Sequence, residues 1–413
     1  MTRRSRRSRR ALLATAAGIL AVVALDAVRA TPAAPAGAVQ EVGARRTDPP
    51  ITSPEVAGDR RVTFRLRAPE AKAVKVSGDF GADVDMQRSA DGVWTATVGP
   101  LDAEMYVYFF IVDGVRLTDP GNPQVKIGYV TTTTTSLLTV PGDRPAFYDV
   151  QDVPHGEIRT LLYPSRSNGV TRELTVYVPP GYDKAPAVRY PVLYLLHGFA
   201  NDQHSWHRYG RANDILDNLL AQRAIAPFLV VMPLGYGGAR VNGDGTGIPP
   251  EGADGARGAP ALYERDLLED VIPMIDSTYR TIADRSHRAI IGFSMGGGQA
   301  GRFGLGHLDT FSQVGIMSAG LGGGGSTAAP GADPIAPLAS DPVKANALID
   351  LLWIACGRDD AAMKGAKALH EALDKAGIEH TFVETEGAHH WRVWRRYLRD
   401  VAPLLFKGST PPR

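Results

Sequence analysis

The chain has 413 residues, 44% of them hydrophobic and 22% charged, with a formal net charge of +1. Those values describe an ordinary globular protein of about two domains and exclude a disordered or fibrous chain. The single cysteine, Cys356, excludes an internal disulfide and, inside the apolar run "LLWIACG", reads as a small buried hydrophobe.

The first thirty residues stand apart. Arg3, Arg4, Arg6, Arg7, Arg9 and Arg10 precede the apolar stretch "ALLATAAGILAVVAL". That stretch is shorter than the ~20 residues of a membrane span, so residues 1–30 read as an export signal cut near Ala30, with a short membrane anchor as the alternative. "SRRALL" from Ser8 to Leu13 resembles a twin-arginine signal, which implies a secreted or extracytoplasmic protein with no stable membrane span after processing. These residues hold seven arginines and Asp26, so without them the net charge is about −5 and nothing resembles a phosphate-binding surface. Nucleic acid is therefore not an expected partner. Residues 31–50, rich in Ala and Pro without periodicity, read as a linker.

Residues 51–145 carry short strand patterns. "RVTFRLRAP" alternates Val62, Phe64 and Leu66 with polar neighbours, and "AVKVSGDF", "GVWTATV", "MYVYFFIVDGVRL" and "TTTTTSLLTV" follow, separated by turns such as Asp91-Gly92 and Asp113-Gly114. Five or more short strands in this span predict a small β-sandwich. Trp94 is a possible aromatic platform, but its place in an alternating strand points to the core.

The texture changes near residue 150. "LTVYVPP", "PVLYLLHG" and "FLVVMP" are apolar on both faces, as buried parallel strands are. Helical patterns at "RANDILDNLLAQRA", "YERDLLEDVIPMIDSTYR" and "AAMKGAKALHEALDKAG" alternate with further strands, "AIIG", "VGIMSAG", "LLWIACG" and "HTFVET". The alternation predicts an α/β domain with a mainly parallel sheet over residues 150–407. Two glycine-rich segments, 235–260 and 320–334, follow strands and read either as functional loops or as surface slack.

Ligands of parallel sheets collect at the carboxyl ends of the strands. There "AIIG" is followed by Ser294, "LLWIACG" by Asp359 and Asp360, and "HTFVETEGA" by His389 and His390. Ser294 sits in Gly292-Phe293-Ser294-Met295-Gly296, the pattern of a nucleophile on a tight strand-to-helix turn. The order Ser, Asp, His suits an activated hydroxyl, because an imidazole can take the serine proton while a carboxylate fixes its tautomer. An oxyanion hole then needs two N–H groups: Met295, after the serine, and Phe199, in the loop after "YLLHG". His197, in the same loop, reads as loop-shaping. Trp206 and Trp391 are substrate-binding candidates able to stack on an aromatic acyl group or a sugar, or else to pack. His204 and His207 lack a matching ligand set, and no phosphate loop or dinucleotide pattern occurs, so no metal or cofactor is expected.

Two resemblances follow from these stretches. "VTFRLRAPEAKAVKVSGDF", "DGVWTATVGPL" and "VDGVRLTDPGNP" resemble early-set immunoglobulin-like domains related to glycogen-binding carbohydrate modules. "LLHGFANDQHSWHRYGRANDILDNLL", "ERDLLEDVIPMID", "GFSMGGGQA", "ACGRDD" and "EGAHHWRVWRRYL", in that order, resemble secreted esterases of the esterase D and feruloyl esterase group. The second resemblance implies an α/β-hydrolase fold after a small immunoglobulin-like sandwich. Its pattern G-G-H-x-W maps the base onto His389, with Gly387 present and Ala388 in place of the second glycine. Its acid maps onto Asp360, with Asp359 as the alternative. It implies an acyl-enzyme mechanism on carboxylic esters, such as feruloyl or acetyl groups on plant polysaccharide. Siderophore esterases and mycolyltransferase-like acyltransferases share the fold group and remain alternatives, as does a carbohydrate-binding protein with an idle hydrolase domain.

Overall fold

A computed structural model of the chain describes residues 50–129, 134–241, 247–248, 259–321 and 334–407. The export-signal reading, nearly all of the linker, and most of both glycine-rich segments lie outside these residues. Residues 51–413 form one compact unit.

Ten short strands come first: β1 Glu55–Val56, β2 Val62–Arg67, β3 Val74–Gly78, β4 Val84–Asp85 and β5 Gln87–Arg88, then β6 Val93–Val98, β7 Glu104–Val112, β8 Val115–Leu117, β9 Val125–Lys126 and β10 Thr135–Val140. They make two antiparallel sheets, ordered β1-β2-β6-β5 and β4-β3-β7-β10-β9, with β8 on β7. Alternation drives them together: Val62, Phe64 and Leu66 of β2, Trp94 and Ala96 of β6, and Tyr106, Tyr108 and Phe110 of β7 all enter one core. Trp94 is buried and its indole N–H donates to the Ala68 carbonyl, so it packs rather than faces solvent.

The second layer system is built on β11 Glu157–Ser165, β12 Val170–Val178, β13 Val192–Leu196 and β14 Leu229–Pro233. A two-stranded ribbon, β15 Arg240–Val241 and β16 Gly247–Ile248, follows. The remaining strands are β17 Arg288–Phe293, β18 Gln313–Met317, β19 Leu351–Gly357 and β20 Thr381–Thr385. The eight-stranded sheet runs β11-β12-β14-β13-β17-β18-β19-β20, parallel from β14 onward. Both faces are covered: Tyr194 and Leu196 of β13 enter one core while Leu193 and Leu195 enter the other.

Two expectations are corrected here. β12 was expected among the parallel strands, but it runs antiparallel to both β11 and β14. Burial on both faces gives it the same apolar pattern as its parallel neighbours, so pattern alone does not report direction. The stretch "YERDLLEDVIPMIDSTYR" is not one regular helix. α1 Ser205–Arg208 and α2 Ala212–Ala221 precede it, and the stretch itself divides into α3 Pro260–Arg265, a π-helical turn at Asp266–Val271, and α4 Ile272–Thr278. Pro273 has no N–H to donate to the preceding turn, and the wider turn swings the Asp266 carboxylate inward to Tyr163 and Arg172.

Then come α5 Met295–Gly306, α6 Ala336–Ser340, α7 Pro342–Leu348, α8 Met363–Ala376 and α9 Trp391–Val401. α9 carries the contact to the first sheets. Arg395 is buried and pairs with the buried Glu104 of β7 at 2.7 Å, while also donating to the carbonyls of Tyr209 and Met105. Arg396 reaches the other Glu104 oxygen at 3.2 Å.

Candidate active site

Ser294 joins β17 to α5 with φ 54° and ψ −120°, a conformation that strains a residue bearing a Cβ. The turn holds because its neighbours are glycines. A Cβ on Gly292 would lie 2.3 Å from the Gly296 carbonyl oxygen, and one on Gly296 would lie 2.4 Å from the His197 carbonyl oxygen. The serine turn and the loop after β13 therefore touch backbone to backbone. The Ser294 N–H donates to the Met317 carbonyl at 2.9 Å, which pins the turn to β18.

His389 follows β20 and Asp360 follows β19. His389 Nδ1 lies 2.8 and 3.0 Å from the two Asp360 oxygens, and Nε2 lies 2.8 Å from Ser294 Oγ. The carboxylate can only accept, so Nδ1 carries the proton and Nε2 accepts from the serine hydroxyl. Asp360 is buried; burial pushes its carboxyl up, but hydrogen bonds from His389, the Ala362 N–H and Ser318 outweigh this and hold it below its ordinary value. Ser318 in turn accepts from the Trp394 indole N–H at 3.0 Å. Asp359 is exposed and uses its backbone N–H on the Gly387 carbonyl, so Asp360 is the acid that meets the histidine. That same contact ties the acid loop to the histidine loop despite Ala388. Such a line of three groups can draw a proton from Oγ as it attacks an electrophile and return it to a leaving group.

Phe199 lies in the loop packed against the serine turn, and Met295 begins α5. Neither N–H is taken by an acceptor among the described residues. His197, read from the sequence as loop-shaping, fixes this loop through a network whose other members the sequence does not reveal. The Gly235 N–H donates to His197 Nε2 at 2.8 Å, so His197 donates from Nδ1 to the Gly198 carbonyl at 2.9 Å. Burial pushes His197 down to about 4, so the ring is neutral and serves as a strut. Gln299 of α5 donates to the Gly235 carbonyl at 2.9 Å. Arg172, fully buried and paired with Asp266 at 3.1 Å, donates to the carbonyls of Leu234, Tyr236 and Ala239. Asp266 and the three carbonyls lie more than sixty residues away in sequence, which leaves no local signal for what Arg172 holds.

Trp206 and Trp391 do not face a cleft. They are 1% and 4% exposed, pack edge to face on each other at 5.3 Å, and both meet Phe293 beneath the serine. Trp206 also donates to the Leu196 carbonyl at 3.0 Å. These indoles are a floor, because loop and helix-start aromatics bury their area wherever a core is near. Among the described residues, the exposed aromatic side chain at the site is Phe199, at 39%. From the first sheets, the Tyr129 N–H donates to the Ala200 carbonyl at 3.2 Å, and the Tyr129 ring stacks near Tyr236 in a cluster that Met295 joins. No helix among the described residues is long and apolar enough to cross a membrane.

Comparison with known proteins adds four findings. The family model described as "Putative esterase" matches residues 165–405. An endo-1,4-beta-xylanase/feruloyl esterase of Xylanibacter ruminicola is 33% identical over 363 residues, covering 86% of this chain and 46% of its own length. The chain thus spans less than half the length of that relative. Among solved structures, a ferulic acid esterase superposes with a TM-score of 0.51 at 26% identity, covering 61% of this chain and 98% of its own. The enterobactin esterase of Shigella flexneri superposes with a TM-score of 0.61, covering 84% and 93%; at 17% identity this is a likeness of fold alone.

Proposed function

The chain belongs to the esterase family, and on that premise we propose that it is an exported serine esterase that cleaves carboxylic esters through an acyl-enzyme. The observation that carries this reading is the unbroken hydrogen-bonded line from Ser294 Oγ through His389 to Asp360, on a turn strained for a side chain. Ser294 Oγ attacks the ester carbonyl as His389 Nε2 takes its proton. Asp360 holds the imidazole tautomer and balances the imidazolium. The N–H groups of Met295 and Phe199 receive the developing oxyanion. Collapse expels the alcohol, which takes the proton from His389, and water then repeats the sequence to release the acid and restore Ser294.

The substrates are esters of aromatic or short acids on plant polysaccharide, feruloyl and acetyl groups first. Support comes from the relative's feruloyl esterase name and from Phe199, whose exposed ring stands in the oxyanion loop where Trp206 and Trp391 do not. The two antiparallel sheets serve as an immunoglobulin-like domain of residues 51–145 ahead of a hydrolase domain of residues 150–407. The basic and apolar start directs export.

The test is hydrolysis of methyl ferulate and p-nitrophenyl acetate by the purified chain and by Ser294→Ala. Turnover should fall on the order of 10⁴-fold or more in the variant. Turnover that survives the substitution refutes the serine mechanism, and turnover of p-nitrophenyl acetate with no detectable turnover of methyl ferulate refutes the feruloyl assignment.

A further inference from the structure

Away from the serine, the C-terminal end of α8 gathers three side chains with donor atoms for a metal. His370 and Asp374 stand one helical turn apart on the same face. α8 then ends at Gly377 in the left-handed conformation, and Ile378 folds back with its N–H on the Leu373 carbonyl, which brings His380 against the helix. His370 Nδ1 lies 2.8 Å from His380 Nε2, and Asp374 oxygens lie 3.5 Å from His370 Nε2 and 3.9 Å from His380 Nε2. One donor atom of each residue lies within 4.8 Å of the other two.

We propose that His370, Asp374 and His380 form a site for a divalent transition-metal ion of the zinc type. The rings are set before any ion arrives. His380, its side chain 2% exposed, gives Nδ1–H to the Ile378 carbonyl at 2.8 Å, which leaves Nε2 as the bare ligand atom. The His370 ring is stacked on Phe382 at 4.6 Å and 6°. Asp374 is 63% exposed and leaves a path for the ion and its waters. Around a tetrahedral ion with ligands at ~2.0–2.1 Å, donor atoms sit about 3.3 Å apart, between the 2.8 Å that separates His370 Nδ1 from His380 Nε2 and the 3.9 Å that separates His380 Nε2 from Asp374. Two imidazoles and one carboxylate suit zinc, cobalt, nickel or copper rather than calcium, which prefers six or more oxygens. The negative end of the helix dipole favours a cation at this place as well.

The site is a clip rather than a second reaction centre. His380 precedes β20, whereas His389 follows its opposite end, about 17 Å along a five-residue strand. The ion ties α8 to the strand that delivers His389, and the proposal does not depend on the esterase reading. The experiment titrates zinc chloride into tag-free, full-length chain stripped with EDTA, followed by calorimetry and by thermal unfolding. One equivalent should bind, with a rise in melting temperature that calcium chloride does not produce. His370→Gln should weaken binding at least about tenfold and cancel the rise. Asp374→Asn, at an exposed position, should fold as the parent does and also bind more weakly. No saturable uptake up to about 100 μM zinc, an equal response to calcium, or an unchanged affinity in His370→Gln overturns the proposal.

Discussion

A Cβ held at φ 54° and ψ −120° costs on the order of 1–3 kcal/mol, and Ser294 bears that strain where Gly292 and Gly296 leave room for it. Ser294→Gly removes the Cβ and should therefore be about 1 kcal/mol more stable than Ser294→Ala, which keeps it, while both lose turnover. Chemical denaturation of the two variants checks this, and equal midpoints would show that the turn carries no strain. The serine was legible in the sequence because the strained conformation demands small residues at fixed positions around it. Asp360 and His389 were legible as polar residues at strand ends, with Asp359 separable only by seeing which carboxylate turns inward. The direction of Trp206 and Trp391 was not legible, because an indole beside a site gains as much by burying its area below it as by facing a ligand. Arg172 was equally hidden: its meaning lies in the three carbonyls it holds.

At the scale of the element, the loop between β20 and α9 positions His389, the proposed base. Gly387 has φ 104°, and a Cβ there would lie 2.6 Å from a Val393 methyl in the first turn of α9. Its carbonyl also receives the Asp359 N–H. Gly387→Ala should shift the loop and with it His389, lowering kcat by about 100-fold or more while the far-ultraviolet circular dichroism stays unchanged. Ala388→Gly should retain kcat within about threefold, since only backbone freedom is added. Steady-state kinetics on one ester separates the two, and a normal kcat in Gly387→Ala would show that the loop accommodates the methyl. Most elements were readable from period and length. The exceptions have different causes: β12 takes its direction from its local hairpin with β11, which an apolar pattern does not report, while the π turn at Asp266 serves a long-range contact of its carboxylate with Arg172.

Across the whole molecule, the contact between Glu104 and Arg395 joins residues 291 positions apart, and each alone reads as a surface charge. Both side chains are 1–2% exposed. Glu104→Ala leaves a buried, unpaired guanidinium and should cost about 3–5 kcal/mol, whereas Glu55→Ala, which breaks an exposed pair with Arg65, should cost under about 1 kcal/mol. Equal urea midpoints for the two would mean that the buried pair is solvated. Acid should also weaken the fold. Burial pushes His197, His207 and His390 down to about 4, so each is neutral when folded and takes a proton near pH 6.5 only when unfolded. Their contribution is complete above pH 6.5 and is lost as pH falls toward 4. His155 and His307, raised by hydrogen bonds to Asp217 and Glu264, and Asp79, Asp214 and Asp266, raised by burial, act in the opposite sense, but of these only Asp79, at about 6, moves nearly as far as each of the three histidines. The melting temperature should therefore fall from pH 6.5 to 4, and a flat profile there would refute the assignment. The Glu104 contact also sets an order in time. During synthesis the strand bearing Glu104 leaves the ribosome long before α9, whose first residue follows His389 by two positions. Ser294 and Asp360 also emerge before His389. A nascent chain that has not yet made α9 therefore lacks the ion pair to β7 and, on the proposed mechanism, a base beside Ser294.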